Sequence, residues 1–385
     1  MKVLHICNGF VGSKVHTQLY QRLDNVVDGQ TIYSAIYPSE EGKNTFCADN
    51  TRIVLAPILR QFYRPFYHVK KWVITRSICR NVNVSEYDCI HAVTLFTDGV
   101  QAYEMYRRYG KPYILAVRNT DLNLFLEKCP YAWGLGKKAL LNASKIVFIS
   151  KAMMESFARH KVIAPIVDKI QDKFICIPNG VDEYWHNHIE HPMKLGKNVL
   201  YVGDFSLNKN VARVIEAVSN LSKEPGYENI HLNLVGGGKS RNSIKGAGQK
   251  GNDVVLELIE KNKELITFHG PIYDKDKLRK VYAANDVFVM PSHHETFGLV
   301  YIEALSQNLP VVYTKGQGID GLFGPEVGIG VNPMSVDEIK DSIKRILENQ
   351  QYYSNAKVDF SWFDWKKIAE RYKTIYEEIS RPDIQ

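Results

Sequence analysis

The chain of 385 residues has no apolar run close to the roughly 20 residues that span a bilayer. Its first apolar stretch, Val3–Cys7, is short and is followed by polar residues without a small-residue cleavage site. We therefore expect a first β-strand there and not a signal peptide. The six cysteines show neither paired nor metal-ligand spacing, and Cys7, Cys89 and Cys176 fall in predicted strands. This pattern predicts reduced, buried thiols in a cytoplasmic protein.

Two glycine-containing segments lack residues that nucleotide-binding loops require. Gly12-Ser13-Lys14 does not complete a G-x-G-x-x-G fingerprint. Gly236–Ser240 lacks the first glycine of a P-loop, because Asn233 occupies that position. Asp274-Lys275-Asp276 precedes a predicted helix and is better explained as a capping turn than as a pair of metal ligands. The sequence therefore predicts no metal ion and no cofactor.

Acidic residues are absent from residues 51–85, although the net charge of the whole chain is only +7. The same stretch contains seven cations interleaved with aromatic residues, among them Arg64, Lys70, Lys71, Phe66 and Trp72. Cations beside aromatics suit an anionic membrane surface, which we expect residues 60–80 to contact. A solvated helix whose aromatics face the core remains an alternative. Nucleic acid is not expected as a partner.

Short apolar runs alternate with helical periodicity along both halves of the chain. Predicted strands extend from Val3–Cys7 to Phe174–Ile177 in the first half and from Val199–Val202 to Val311–Tyr313 in the second. Repeated strand–helix units predict an α/β fold with doubly wound parallel sheets. The polar segment 182–198 is expected to link two domains. We predict domains at 1–185 and 198–362, with a final helix in 363–385.

The segment Pro291–Gln307, PSHHETFGLVYIEALSQ, carries the strongest functional signal. It follows a predicted buried strand and leads into a predicted helix. The N–H groups and the macrodipole of a first helical turn attract anions, and Gly298 allows the backbone to approach a ligand closely. Glu295 and Glu303 could accept hydrogen bonds from sugar hydroxyls on either side of a bound phosphate. A solvated loop acid and an exposed helix acid are the alternative explanation of the pair.

With the flanking residues PS and EAL, the Glu295–Glu303 pair closely resembles the signature of retaining glycosyltransferases of the GT-B architecture, family four. The resemblance implies two Rossmann-like domains facing a central cleft, with the C-terminal helix crossing back to the first domain. It implies that Glu295 contacts the transferred sugar and that Glu303 holds the ribose hydroxyls of the nucleotide. The pyrophosphate would be held by the loop amides of Thr296, Phe297, Gly298 and Leu299.

The segment Tyr201–Asn210 resembles a second part of the same family's donor site. Gly203 and Lys209 match its strand–Gly–Arg–loop–Lys pattern, in which the cations neutralise the diphosphate leaving group. Asp204 stands where the family usually has Arg, and one cation fewer should weaken that stabilisation. Lys209 is therefore predicted to be catalytic, with a surface lysine beside a helix start as the alternative.

In the first domain, Arg118 is predicted to be catalytic, at a position where the resembled family often has His near the transferred sugar. An arginine can bind a phosphate or an acid group bidentately, but it cannot repeat a histidine's proton chemistry. The resemblance places Gly12 at the phosphate and Lys14, His91 and Asn119 on the acceptor or sugar side. A surface arginine and a structural histidine remain the alternatives.

The resemblance implies a metal-independent hexosyltransferase that moves a sugar from a UDP- or GDP-sugar to an acceptor hydroxyl. We expect a glycan or a lipid-linked acceptor in bacterial cell-envelope polysaccharide biosynthesis, and a peripheral position at the inner face of the plasma membrane. Two alternatives remain open. One is a nucleotide-sugar epimerase of related fold, and the other is a non-catalytic partner subunit, which Asp204 and Arg118 favour.

Overall fold

The structure, a computed structural model, describes residues 1–44, 46–190, 195–237, 247–353, 355 and 357–381. Residues 191–194 of the predicted linker, Gly238–Ser240 of the glycine-rich segment and residues 382–385 lie outside the described residues. The chain divides into two compact units. Unit 1 comprises residues 1–149, 153–180 and 361–385, and unit 2 comprises residues 150–152 and 181–360.

Unit 1 is built on a parallel sheet of seven strands within the described residues, in the order β3-β2-β1-β4-β5-β6-β7. The central strands are apolar almost throughout because helices cover both faces of a doubly wound sheet. The strands are β1 (Lys2–Ile6), β2 (Gly29–Ala35), β3 (Thr51–Ala56), β4 (Cys89–Ala92), β5 (Tyr113–Ala116), β6 (Lys145–Phe148) and β7 (Phe174–Cys176). The helices in this part of the chain are α1 (Lys14–Leu23), α2 (Tyr67–Asn81), α3 (Val100–Tyr109), α4 (Pro130–Asn142) and α5 (Lys151–Arg159).

Unit 2 repeats the architecture with a parallel sheet of six described strands, in the order β10-β9-β8-β11-β12-β13. The predicted fold class, two Rossmann-like parallel-sheet domains, is therefore confirmed. The strands are β8 (Asn198–Gly203), β9 (His231–Gly236), β10 (Ile266–Gly270), β11 (Val287–Val289), β12 (Val311–Thr314) and β13 (Gly328–Val331). The helices are α6 (Glu183–His186), α7 (Val211–Leu221), α8 (Ala247–Lys261), α9 (Lys275–Ala283), α10 (Leu299–Ser306) and α11 (Val336–Glu348).

The C-terminal helix α12 (Trp365–Ser380) packs on the core of unit 1, as the resemblance implies. Its buried stripe includes Ile368, Tyr372 and Tyr376, which join residues of β1 and α1 in one apolar cluster. Trp365 lies directly over Gly180, where an added Cβ would come within 2.4 Å of the indole ring. The glycine is therefore required for the packing of the C-terminal helix.

Two histidines occupy the interior beneath α12. His5 and His91 lie opposite each other in the register of β1 and β4, and both are fully buried. Their Nδ1 atoms are 3.3 Å apart, and the Tyr376 hydroxyl lies 2.7 Å from Nδ1 of His91. Burial lowers the pKa of His5 to about 3 and the pKa of His91 well below its ordinary value. Both imidazoles are therefore neutral in the folded protein near neutral pH.

We expect protonation of these histidines to destabilise the fold. His5 has a pKa of about 3 when folded and 6.5 when unfolded, so its contribution to stability is complete above pH 6.5 and is lost as the pH falls towards 3. The loss approaches about 1.4 kcal/mol per pH unit within that window. His5→Asn should flatten the dependence of the thermal midpoint on pH, whereas His68→Asn, at an exposed position, should leave the slope unchanged. Parallel curves for the wild type and His5→Asn would contradict the prediction.

Candidate functional site

The main candidate site is formed by two loops of unit 2 that leave neighbouring strands. β8 and β11 are adjacent, and the remaining strands extend from them in opposite directions, which makes this pair the topological switch point of the sheet. Ligands of doubly wound sheets bind outside the carboxyl ends of the strands at such a point. The loop after β8 contains Lys209, and the loop after β11 contains Glu295.

Asn208 joins the two loops. Its amide nitrogen donates to the carbonyl of His294 at 3.0 Å, and its amide oxygen accepts from the N–H of the same residue at 3.0 Å. Its own carbonyl accepts from the N–H of His293 at 2.8 Å. Three hydrogen bonds from one residue therefore fix the spacing between the loops.

Lys209 and Glu295 form an ion pair across the loops, with Nζ 2.7 Å from Oε2. Their side chains are only 21% and 11% exposed, so the pair is partly withdrawn from water. Lys209 ends a short 3₁₀ turn and is followed by Asn210 in a left-handed conformation, with φ of 58°. The buried amide of Asn210 donates to the carbonyls of Pro291 and Pro333, which fixes the backbone that carries Lys209.

The backbone of Glu295 is held by a third loop, which follows β12. The amide oxygen of Gln317 accepts from the N–H of Glu295 at 2.7 Å, and the N–H of Gly318 donates to its carbonyl at 3.2 Å. A Cβ at Gly318 would lie 3.2 Å from Cγ of Glu295, and one at Gly298 would lie 3.4 Å from its carboxyl carbon. Both glycines have positive φ, so the carboxylate is packed between two positions that favour glycine.

Helix α10 begins beside this carboxylate. Gly298, with φ of 79°, is its N-cap, and no side chain caps the helix. The first turn, which begins at Leu299, also carries no acidic residue. Thr296 donates its N–H to Oε1 of Glu295 at 3.0 Å, and the side chain of Phe297 is buried. The helix start therefore offers main-chain donors and positive dipole charge to an anion.

Glu303 lies on α10, one turn further along. Its carboxylate is 3.2 Å from the hydroxyl of the fully buried Tyr282. Burial raises the pKa of Glu303 to about 7, and the hydrogen bond from Tyr282 opposes that shift only in part. An ion pair of Asp182 and Lys275, 2.6 Å apart, acts on the same carboxyl with opposing charges. A carboxyl with this pKa changes charge close to neutral pH.

Asp204, which replaces the arginine expected from the resemblance, is engaged in its own loop. Its carboxylate accepts from the N–H of Ser206 at 2.9 Å, and its carbonyl accepts from the Tyr201 hydroxyl at 2.7 Å. Gly203 allows this arrangement, because a Cβ there would come within 2.7 Å of the Tyr201 oxygen. Asp204 therefore has a local structural role. In the loop from Gly203 to Asn210, Lys209 is the one cation.

The predicted site residues of the first domain fall in unit 1 and differ in their accessibility. Arg118 is partly buried and donates from Nε to the carbonyl of Val93 at 3.3 Å. Gly12, Lys14 and Asn119 are exposed in loops or at a helix start. His91 is fully buried, and its ring stacks on Tyr372 at 5.0 Å, which agrees with the structural alternative for this residue.

Several residues that order these sites were missed in the sequence. In unit 2 they are Asn208 and Tyr282. In unit 1, Asp98 accepts from the side-chain amide of Asn8 at 2.7 Å, and burial raises the pKa of Asp98 to about 7. The sequence contains little indication of these roles, because an isolated Asn, Gln or Asp after a strand is also common in ordinary turns.

In the part of the chain that the structure describes, no group of three His, Cys, Asp or Glu side chains could hold a metal ion. None of the described helices is both long and apolar enough to cross a membrane. The predicted capping role of Asp274 is confirmed, because its carboxylate accepts from the N–H of Lys277 at 2.8 Å. The six cysteines are free thiols, and Cys7, Cys89 and Cys129 are buried, whereas Cys47 is exposed.

The model of a family described as glycosyl transferases group 1 matches residues 186–359. An uncharacterized glycosyltransferase of Methanocaldococcus jannaschii is 24% identical over 382 residues, which cover 96% of this chain and 95% of that protein. The putative teichuronic acid biosynthesis glycosyltransferase TuaC of Bacillus subtilis is 23% identical, covering 85% of this chain and 82% of that protein. The crystal structure of HepE from Anabaena in complex with UDP has a TM-score of 0.70 at 17% identity and covers 98% of this chain and 100% of that one.

Proposed function

We propose that the chain moves a hexosyl group from a nucleotide-diphosphate sugar to an acceptor hydroxyl, with retention of configuration and without a metal, because residues 186–359 match the glycosyl transferases group 1 and a glycosyltransferase relative matches 96% of the chain. One observation carries the proposal. Lys209 and Glu295, predicted independently from two motifs, form a partly buried ion pair beside the start of α10. A cation, main-chain donors and a carboxylate are thereby assembled at the switch point of one sheet.

The cation and the helix start would stabilise the leaving group. As the bond to the sugar breaks, negative charge develops on the departing diphosphate. The first turn of α10 and the ammonium of Lys209 can both interact with that charge. Such interactions accelerate the reaction only if they are stronger in the transition state than with the bound donor. Lys209 would fulfil this condition if its ammonium leaves the Glu295 carboxylate for the phosphate as negative charge develops there. Its interaction with the phosphate would then be stronger in the transition state than with the bound donor.

The two glutamates would bind different parts of the donor. Glu295 would orient the transferred sugar through its hydroxyls, and Glu303 would accept hydrogen bonds from the ribose. This pair is not the acid and nucleophile of a glycosidase, which flank one scissile bond. In unit 1 we propose Arg118 and Gly12 as phosphate-binding residues, and Lys14 and Asn119 as residues that bind the acceptor.

For the acceptor we propose a lipid-linked glycan of the bacterial cell envelope, assembled at the cytoplasmic face of the membrane. The likeness to TuaC, with its name from teichuronic acid biosynthesis, supports this assignment. The basic segment 60–80 would hold the protein at an anionic membrane surface. Phe62, Phe66 and Trp72 support this, because each exposes more than half of its side chain. The donor base is proposed to be uracil or guanine.

The proposal is tested by incubating the protein with UDP- and GDP-sugars in the presence and absence of a lipid-linked acceptor. Release of the nucleotide that depends on the acceptor is expected. Interconversion of the sugar without an acceptor would instead identify an epimerase. If neither reaction occurs although the donor binds, the chain is a non-catalytic subunit.

The ionisation of Glu303 should make donor binding depend on pH. Only the carboxylate can accept from both ribose hydroxyls, and a pKa of about 7 means that this form is depleted at pH 6. We expect the affinity for a UDP-sugar to rise by about tenfold between pH 6 and pH 8, measured by isothermal titration calorimetry. A UDP-sugar is preferable to UDP, because a terminal phosphate itself titrates near pH 6.

Glu303→Gln supplies the control for this prediction. The variant should bind the donor more weakly at pH 8 and should show a flat pH dependence. The stability of the wild type should change in the opposite direction to its donor affinity, because a carboxyl whose pKa is raised on folding costs stability as the pH rises from 4.5 through about 7, whereas the variant lacks this dependence. A donor affinity with the same pH dependence in both proteins would exclude Glu303 from ribose binding.

A further inference from the structure

Unit 1 contains a small cavity beside α2 that the proposed transfer site does not use. Its volume is about 240 Å³. This is below the roughly 300–1,000 Å³ of pockets that enclose a whole drug-sized ligand, so the cavity suits one chain end. The lining is largely apolar and includes Ile74, Phe96, Leu124, Phe125, Cys129 and Tyr131.

Two π-helical turns, Leu95–Gly99 and Asp121–Leu126, form the inner wall. They follow β4 and β5 and so lie at the carboxyl edge of the sheet, where such folds bind ligands. The buried carboxylate of Asp121 accepts from the N–H groups of Leu95 and Phe96, both at 3.0 Å, and thereby ties the turns together. π-helical turns are rare and often mark functional sites.

The wall is rigid and is continuous with the predicted acceptor residues. Phe96 stacks on Phe125 with ring centroids 5.0 Å apart, and the Tyr67 hydroxyl donates to the carbonyl of Phe96 at 2.8 Å. Arg118 donates its N–H to Asp121 at 2.9 Å, directly before the second π-helical turn. The same segment of chain therefore carries a predicted acceptor-side arginine and one wall of the cavity.

The rim of the cavity is cationic. Arg64, Lys70 and Lys71 contribute to the lining, and Lys71 pairs with Glu104 at 2.7 Å. No described carboxylate lies within ion-pair distance of Arg64 or Lys70, in a stretch of sequence without acidic residues. Their charges are therefore available to an anion at the mouth of an apolar cavity.

The surface around the mouth is apolar as well as cationic. Phe66, Val69 and Trp72 expose 58%, 47% and 57% of their side chains. Val69 and Trp72 are three residues apart on α2 and therefore share one face of the helix. Arg76 extends this face, with its guanidinium 5.4 Å from the centre of the Trp72 ring. This combination fits a molecule with a hydrocarbon tail and a negatively charged head.

We propose that the cavity binds the part of the hydrocarbon chain next to the phosphate of a phosphate-linked lipid acceptor, with that phosphate against Arg64 and Lys70. This inference deepens the proposed function and rests on it, because it assigns the lipid part of the acceptor to a defined site. The cavity is too small for the glycan, which would remain outside.

Binding of dodecyl phosphate, kept below its micelle concentration, tests the proposal on the full chain. We expect saturable binding by isothermal titration calorimetry. Inorganic phosphate, which lacks the chain, and dodecyl maltoside, which lacks the charge, should bind much more weakly. Equal binding of dodecyl maltoside would overturn the role of the cations.

Paired variants distinguish binding of dodecyl phosphate in the cavity from binding to the surrounding surface. The double variant Arg64→Gln and Lys70→Gln should bind dodecyl phosphate about thirtyfold more weakly, because each cation contributes to attraction of an anionic head group. Arg80→Gln, an exposed position on the same helix that does not line the cavity, is the matched control. Leu124→Asp should abolish binding, whereas Leu141→Asp, at a similarly exposed leucine outside the cavity, should not.

If Leu124→Asp binds dodecyl phosphate as well as the wild type does, the cavity assignment is wrong. The same conclusion holds if that variant also still adsorbs to anionic vesicles. Calorimetry with UDP in the same proteins distinguishes this failure from a failure of the proposed function. Lost dodecyl phosphate binding with intact UDP binding in Leu124→Asp supports the cavity. If UDP binds to no variant and not to the wild type, the transfer proposal fails, whereas the result with dodecyl phosphate still decides the cavity.

Discussion

Glu295→Gln is expected to lower the turnover of sugar transfer by about a thousandfold, while the affinity for UDP increases. The substitution preserves the size of the side chain, which is confined between Gly298 and Gly318. It removes the negative charge that would accept hydrogen bonds from the transferred sugar. It also removes the partner of Lys209, which lies 2.7 Å away in the free protein.

The rise in UDP affinity distinguishes this mechanism from simple damage to the site. In the wild type, a bound diphosphate would compete with the Glu295 carboxylate for the ammonium of Lys209. In the variant that competition is absent, because a neutral amide attracts the ammonium less strongly. Initial rates with saturating donor and acceptor, together with calorimetry of UDP, measure the two effects separately.

Glu260→Gln is the matched control, since the side chain of Glu260 is 79% exposed on α8. It should change neither turnover nor UDP affinity. Full turnover in Glu295→Gln would remove Glu295 from the mechanism. A parallel loss of turnover and UDP affinity would show that the variant disrupts the loop instead of the chemistry.

The sequence was sufficient to predict the parallel sheets of both units. Apolar runs separated by helical periodicity identify β-α repeats. The same periodicity predicts helices at 299–306 and 336–348, and α10 and α11 have these bounds. Helix α4 was not predicted, because Gly134 and Gly136 lower its helix propensity. Gly136 is explained by packing, since a Cβ there would come within 2.4 Å of the Phe96 ring. A contact between residues that are far apart in the sequence cannot be recognised from the residues around either of them.

The same limit applies to β13 and to the positions of individual side chains. Gly328, which begins β13, passes so close to β12 that a Cβ would lie 1.9 Å from the carbonyl oxygen of Val311. Two of the four residues of β13 are glycines, which have low β-strand propensity, so the local sequence does not predict the strand. The pairing of Lys209 with Glu295 could not be predicted either, because it depends on the adjacency of β8 and β11 and on the bridge made by Asn208.

Lys209→Met is expected to reduce both turnover, by about a hundredfold, and UDP affinity, by about tenfold. Methionine retains most of the apolar stem of lysine, so the packing against the loop is largely preserved. The expected effect is large because Asp204 leaves Lys209 as the one cation in the loop after β8. Lys209→Arg should restore part of the affinity, since it keeps the charge but alters its geometry.

Lys263→Met, at a side chain that is 76% exposed, controls for the loss of one positive charge from unit 2. The two loop variants test the ion pair jointly, because they should change UDP affinity in opposite directions while both lower turnover. If Lys209→Met retained the wild-type affinity, another cation would have to hold the diphosphate. Arg213 on α7 would then be the next candidate, because its guanidinium lies 3.0 Å from the side-chain oxygen of Asn210, the residue after Lys209.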